Sequence, residues 1–214
     1  MALVFTGDEF GDGGNHIADV LAKRQTKASF FLTGNFYENP KYHRIIKKLQ
    51  KGGHYLGPHS DKHLLYCDWT KRDSLLVSRA AFETDIRSNY KKMRSFGIAL
   101  EKARFFLPPY EWYNDSIAAW SSALGLTLIN FSPGTRTNAD YTTPGMKGYR
   151  SSDEIFSSVV NYEQQSANGL NGFIMLIHIG TDPDRVDKFY HQLDKLLKFL
   201  VSKGYKPVRI DELL

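Results

Sequence analysis

Cysteine occurs once in the 214 residues, at Cys67. That excludes an intramolecular disulfide and any zinc site built from several cysteines. No apolar run approaches the ~20 residues that a membrane-spanning helix needs, so no membrane span is expected. Charge of one sign is also scarce as a block. Lysine and arginine total 28 against 23 acidic residues, a net +5, and Lys41, Lys47, Lys48 and Lys51 are spread along a helical segment. Without a basic block or an RNA-type aromatic motif, nucleic acid is not an expected partner. Gly11-Asp12-Gly13-Gly14 lacks the GK[ST] ending of a phosphate loop, and nothing around Cys67 marks a nucleophile. The opening residues Met1–Thr6 have neither a basic stretch nor a long apolar core, so they do not read as a secretory signal. Either the protein stays in the cytoplasm, or the chain was cut from a longer precursor.

What is present is an ordinary globular composition, 42% hydrophobic and 24% charged, with an alternating cadence. Apolar, β-branched stretches read as strands at Ala2–Thr6, Ala28–Leu32, His54–Gly57, Arg104–Leu107, Leu126–Phe131, Phe173–His178 and Pro207–Ile210. Helical spacing of apolar residues is expected at His16–Lys23, Tyr42–Leu49, about Arg72–Arg94, Ser116–Leu124, Asp153–Gln165 and Arg185–Ser202. The last carries Val186, Phe189, Leu193, Leu196, Leu197 and Leu200 on one stripe. Repeated βα units imply a parallel sheet flanked by helices. About seven of them favour an α/β fold of the barrel kind, TIM-like and perhaps incomplete, over an open doubly wound sheet. No linker divides the chain, so residues 1–214 are expected to form one domain. The irregular stretch Ser132–Ser151 is long enough to be a functional loop.

Reactive side chains fall at strand ends, where parallel βα architectures assemble their sites. Asp8 and Glu9 follow the first strand in TGDEF. His59 and His63 follow the third in GPHSDKH, and Pro108-Pro109-Tyr110 follows the fourth. His178 ends the sixth. The His59/His63 spacing would place both rings on one side of a helical turn, able to share a metal with a strand-end carboxylate as third ligand. Such a shell leaves a coordination position open for water. Two adjacent acids leaving a strand point in different directions, so one can bind metal while the other takes a proton. Two carboxyls facing across a glycosidic bond is the less favoured reading. His178, at the rim, is a candidate acid.

TGDEF, KASFFLTG, GGHYLGPHSDKH, FFLPPY and IMLIH, in this order, resemble the polysaccharide deacetylases of carbohydrate esterase family four, the NodB homology domain. The family's motifs read T-F-D-D-G, H-[ST]-x-x-H, R-P-P-Y and L-x-H, and the resemblance runs from residue 3 to about 210. It implies a distorted (β/α) barrel of about seven strands and an exported or cell-envelope setting. It implies Asp8 as general base, and Glu9, His59 and His63 as ligands of a divalent metal, usually zinc. It further implies the Tyr110 backbone N–H as oxyanion donor, Leu176 against the acetyl methyl, and His178 as general acid. The substrate implied is an acetylated glycan.

Departures from the family pattern are definite. Glu9 stands for Asp, and Leu107 stands for the Arg that braces the base, with Arg136 and Arg150 as candidate substitutes. Glu111 stands for the glycine after PPY, so the EWYN segment that it opens is expected to shape substrate access, with Pro109 and Trp112 lining the pocket. Asp140 is the nearest counterpart of the carboxylate that tunes the histidine acid. Two rival readings stand beside the deacetylase: a carbohydrate-binding domain whose catalysis lapsed along with the missing Arg, and, within the same superfamily, a hydrolase of non-peptide C–N bonds in small molecules.

Overall fold

The computed structural model describes residues 1–214. Four parallel strands pair in the order β3-β2-β1-β6: β1 (Ala2–Gly7), β2 (Ser29–Leu32), β3 (Tyr55–Pro58) and β6 (Ile174–His178). A parallel pair, β4 (Phe105–Phe106) and β5 (Thr127–Leu128), forms the other wall. Single hydrogen bonds close the ring, Leu107 N–H to the Pro58 carbonyl (3.4 Å) and Ser132 N–H to the Ile174 carbonyl (2.9 Å). The fold is α/β, a distorted (β/α) barrel.

Every residue of β1, β2 and β3 is buried. That is the expected state of strands covered on both faces, and it explains their unbroken apolar runs. Strand alternation sends Ala2, Val4, Phe31, Tyr55 and Leu176 inward, where they meet Leu107, Ile129 and Ile210 in a small core inside the barrel. Leu3, Phe5, Phe30, Leu32, Met175 and Ile177 point outward and join a 40-residue core beneath the helices.

Those helices are α1 (Gly14–Lys23), α2 (Gly34–Glu38), α3 (His43–Lys51), α4 (Arg79–Arg94), α5 (Asp115–Ala123), α6 (Ser152–Gln165), α7 (Leu193–Ser202) and α8 (Ile210–Leu213). Several ends are fixed by side chains: Ser78, Asn114 and Ser151 each accept an N–H of the first turn, and Ser151 with Glu154 completes a capping box.

Four sequence expectations are corrected. The fourth helix starts at Arg79 instead of Arg72, because Ser78 caps it. The segment before it instead places Leu75 in a bridge to Cys67. The last long helix starts at Leu193 behind a 3-10 turn, leaving Val186 off the apolar stripe and 84% exposed. Pro207–Ile210 is no strand: Val208 makes one bridge to Ala2, and α8 follows. Residues 59–63 form no helical turn, since Ser60 (φ 71°) and His63 (φ 53°) both adopt left-handed backbone.

The 59–63 loop is held from two sides. The Asp85 carboxylate on α4 accepts the N–H groups of Asp61 and Lys62, both at 3.0 Å. From α2, the N–H groups of Gly34 and Asn35 donate to the carbonyls of Ser60 (3.0 Å) and Asp61 (3.1 Å). Only glycine permits that approach, because a β-carbon at position 34 would overlap the Asp61 carboxylate. Gly34→Ala should therefore cost ~1–3 kcal/mol in urea unfolding, as small-to-large changes in packed sites do; an unchanged midpoint would show that the loop yields freely.

At the opposite end of the barrel, His54 Nδ1 accepts the Ala28 N–H at 3.2 Å, so the ring must be neutral there. Burial, aided by Lys27 and Arg209, brings its pKa down to about 4. The unfolded chain binds a proton near pH 6.5 that the folded chain refuses until about 4, so stability drops as pH falls through that window. Melting temperatures at pH 7.5 and 4.5 should differ less in His54→Asn than in the wild-type chain.

Candidate active site

The carboxyl ends of β1, β3 and β6 deliver the site. Asp8 leaves β1 directly after Gly7. Its Oδ1 accepts from Thr33 Oγ1 (2.7 Å) and Asn35 Nδ2 (3.1 Å). Thr33 also caps α2 by accepting the Phe36 N–H at 3.1 Å. A single hydroxyl thus starts a helix and orients a carboxylate. The other Asp8 oxygen lies 4.0 Å from His63 Nδ1. Sequence reasoning missed Thr33 and Asn35, although a threonine followed by Gly-Asn after a strand is a helix-start signal.

The arginines expected to brace Asp8 do not do so. Arg136 is exposed with left-handed backbone (φ 61°), and Arg150 Nη1 bonds the Tyr149 carbonyl. Leu107, at the family's arginine position, is fully buried in the barrel interior. Two neutral hydrogen-bond donors stand in for one cation.

His59 and His63 come together despite the absence of a helix, with ring centroids 5.1 Å apart. His59 Nδ1 bonds the Leu107 carbonyl at 2.6 Å. A carbonyl can only accept, so Nδ1 carries the proton and the Nε2 lone pair is free for an electrophile. Burial, with His63 nearby, holds the His59 pKa well below its ordinary value. Burial likewise lowers His63, against the opposing pull of Asp8. Both imidazoles are therefore neutral donors near pH 7, the form that binds metal.

Glu9 is not brought to them: its side chain is exposed, and its backbone carbonyl accepts the Tyr42 hydroxyl at 2.7 Å. No three His, Cys, Asp or Glu side chains converge closely enough to hold an ion as they stand. Two neutral imidazoles are donors of the kind a divalent cation takes, and the Asp8 carboxylate lies beside one of them, His63.

His178 ends β6 in register with Thr6 of β1. Asp140, 1% exposed in a 3-10 turn (Thr137–Tyr141), grips it twice: Oδ1 meets His178 Nδ1 at 2.6 Å, and Oδ2 accepts its backbone N–H at 2.9 Å. Burial opposes charge on this imidazole, but Asp140, with Glu111 adding to it, raises its pKa above the ordinary value. The ring favours its protonated form with Nε2 directed elsewhere. This arrangement suits an acid.

Pro109 is buried, and Tyr110 beyond it turns left-handed (φ 59°, ψ 8°). The Tyr110 ring lies 4.5 Å from His63 and 5.5 Å from Trp69, which in turn lies 5.7 Å from Trp112. Arg72 covers Trp112 at 4.3 Å. An aromatic ledge thus leads outward from the histidines, with Trp69 55% and Tyr110 44% exposed. Trp69 was not singled out in the sequence, where nothing links it to Tyr110. Leu176 is fully buried among the barrel's inward side chains, two residues below His178 on β6.

Residues 6–129 match the family model described as polysaccharide deacetylase. A chitooligosaccharide deacetylase from Sinorhizobium fredii is 25% identical over 211 residues, covering 92% of this chain and 85% of the relative. Among solved structures, a peptidoglycan deacetylase from Bacillus subtilis is similar at TM-score 0.71 and 23% identity, over 99% of this chain and 88% of its own. A carbohydrate esterase family four pseudoenzyme from Bacillus anthracis is similar at TM-score 0.74 and 19% identity, over 99% of this chain and 64% of its own. This chain spans about half the length of some other curated relatives. The structural likenesses establish the fold; with the family match over more than half of the sequence, the chain belongs to the polysaccharide deacetylase family.

Proposed function

We propose that this chain is a metal-dependent deacetylase that removes N- or O-linked acetyl groups from a glycan. The observation that carries the reading is the meeting, at one rim, of three differently prepared groups. They are two neutral imidazoles, a carboxylate with one oxygen unengaged, and an imidazole locked to a buried carboxylate.

His59 and His63 would hold the cation, most simply zinc, with Glu9 as the third ligand that the family pattern implies. A divalent cation held there would supply Lewis acidity toward the acetyl carbonyl and the attacking water. Asp8 accepts the proton of the attacking water at the oxygen not held by Thr33 and Asn35. The Tyr110 N–H donates to the oxygen on which negative charge develops. His178 delivers its proton to the departing nitrogen or oxygen, and Asp140 keeps it charged and aimed until then. Leu176 forms the apolar floor against the acetyl methyl. Tyr110 and Trp69, exposed along the ledge that leads out from the histidines, offer apolar faces to sugar rings beyond the acetylated one, which supports a polymer or oligomer as substrate.

The buried Leu107 in place of a family arginine, together with a pseudoenzyme among the structural neighbours, favours a second reading: glycan binding without turnover. Acetate release from acetylated chitooligosaccharide, peptidoglycan and xylan, with zinc added, separates the two. The deacetylase reading expects release that Asp8→Asn cuts by ~10²–10⁴, the usual worth of a general base. Tight glycan binding with no release from any substrate would overturn it.

The third ligand is tested by zinc titration calorimetry. Glu9→Gln should weaken binding about tenfold or more, and His59→Ala should abolish it. Equal zinc affinity in Glu9→Gln and the wild-type chain would assign the third position to another group.

Asp140→Asn removes the charge that favours the His178 proton. The alkaline limb of the pH–rate profile should move to lower pH, with kcat near pH 8 falling ~10²-fold. An unshifted limb would reject His178 as the acid.

A further inference from the structure

Lys62 stands one residue before His63 and is exposed, yet its closest contact is with a neutral group. Its Nζ lies 3.0 Å from the Asn35 side-chain oxygen, against 3.7 Å from Glu38 and 3.8 Å from Asp61. Those two acids are met instead by Lys92, at 2.8 Å from Glu38 and 3.0 Å from Asp61. The main chain of Lys62 is fixed as well, since its N–H donates to Asp85 at 3.0 Å. Asn35 is anchored through its own N–H, which donates to the Asp61 carbonyl at 3.1 Å. At the other end of its side chain, Nδ2 donates to Asp8 Oδ1 at 3.1 Å. Lys62, Asn35 and Asp8 therefore form an unbroken line from the histidine loop, across the start of α2, to the carboxylate at the end of β1.

We propose that Lys62 is a positioning residue acting through Asn35: it fixes which end of the amide faces Asp8, and so keeps the other Asp8 oxygen turned toward the site. The inference rests on the reading of Asp8 as the base. The two ends of an asparagine amide have nearly the same shape but opposite hydrogen-bonding character. A half-turn of the Asn35 amide would set an oxygen against the Asp8 carboxylate. It would also set the amide N–H groups against an ammonium, which has donors only. The Thr33 hydroxyl, the other donor to Asp8, can give or accept a hydrogen bond and makes no such choice. A cation on the amide oxygen also strengthens the N–H at the far end as a donor, because hydrogen bonds in series polarise one another. Leu107 brings no charge to Asp8, whereas Lys62 brings one within a single amide of it. The same contact ties the base to the loop that bears His59 and His63.

The Asn35 side-chain amide can be followed by ¹⁵N NMR in the full chain, without substrate. In Lys62→Met its signals should shift and its protons exchange faster with solvent, while Lys62→Arg should keep them close to the wild-type positions. In acetate release, Lys62→Met should lower kcat about three- to tenfold with KM unchanged, the net contribution of one hydrogen bond. On the Asn35→Ala background the same substitution should change nothing further, since the contact through which it acts is gone. Zinc affinity should be equal in Lys62→Met and the wild-type chain. Asn35 amide signals identical in Lys62→Met and the wild-type chain overturn the proposal. So does a rate loss that adds in full to that of Asn35→Ala, or one matched by a loss of zinc affinity. Shifted amide signals in a chain that releases no acetate leave the lysine–amide contact standing and remove the deacetylase reading instead.

Discussion

The register of β1 between its neighbours is the constraint on which the site depends. Thr6 pairs with His178 on one side, and Gly7 pairs with Leu32 on the other. Parallel pairing at that register brings three chain segments to the same height at the rim: Asp8 from β1, Thr33 from the end of β2, and His178 from the end of β6. Slipping β1 by one residue would turn Leu3 and Phe5 into the narrow interior and Val4 toward the helices. The two cores, with Phe5 and Phe30 packed outside and Ala2 and Val4 beside Leu176 inside, make that slip expensive. The geometry of the candidate site is a by-product of how the barrel is filled.

Much of this was legible in the sequence because the strands are buried on both faces and therefore read as short apolar runs. The strand-end rule places Asp8, His59, His63 and His178 on one rim, and the structure puts Asp8, both loop histidines and the Asp140–His178 pair at neighbouring strand ends. What failed was local conformation. The i, i+4 spacing of His59 and His63 suggested a helical turn, yet the loop reaches the same proximity with two left-handed residues. Its shape comes from Asp85, 22 residues beyond His63, and from the amino end of α2. Periodicity carries no trace of such long-range backbone capture. Val186 failed for a related reason: an apolar residue in phase with a helix says nothing about whether the helix has begun.

The loss of the family arginine also reads differently with the structure in view. In sequence, Leu107 looks like damage, and distant arginines look like repairs. In the fold, Asp8 is held by Thr33 and Asn35, whose hydroxyl and amide orient the carboxylate without adding positive charge. Glu9 remains the position at which sequence pattern and side-chain placement diverge, since its carboxylate faces outward near Tyr42.

The bond from His59 to the carbonyl of Leu107 separates two jobs usually assigned to one position. Alignment of the imidazole draws on the main chain, which any amino acid supplies, while the side chain plugs the axis of the barrel. Aim and filling can therefore drift independently. Substituents at 107 are free to respond to the volume left by Val4, Ile129 and Leu176, and the ring above keeps its bearing so long as the peptide linking 107 to Pro108 stays where it is.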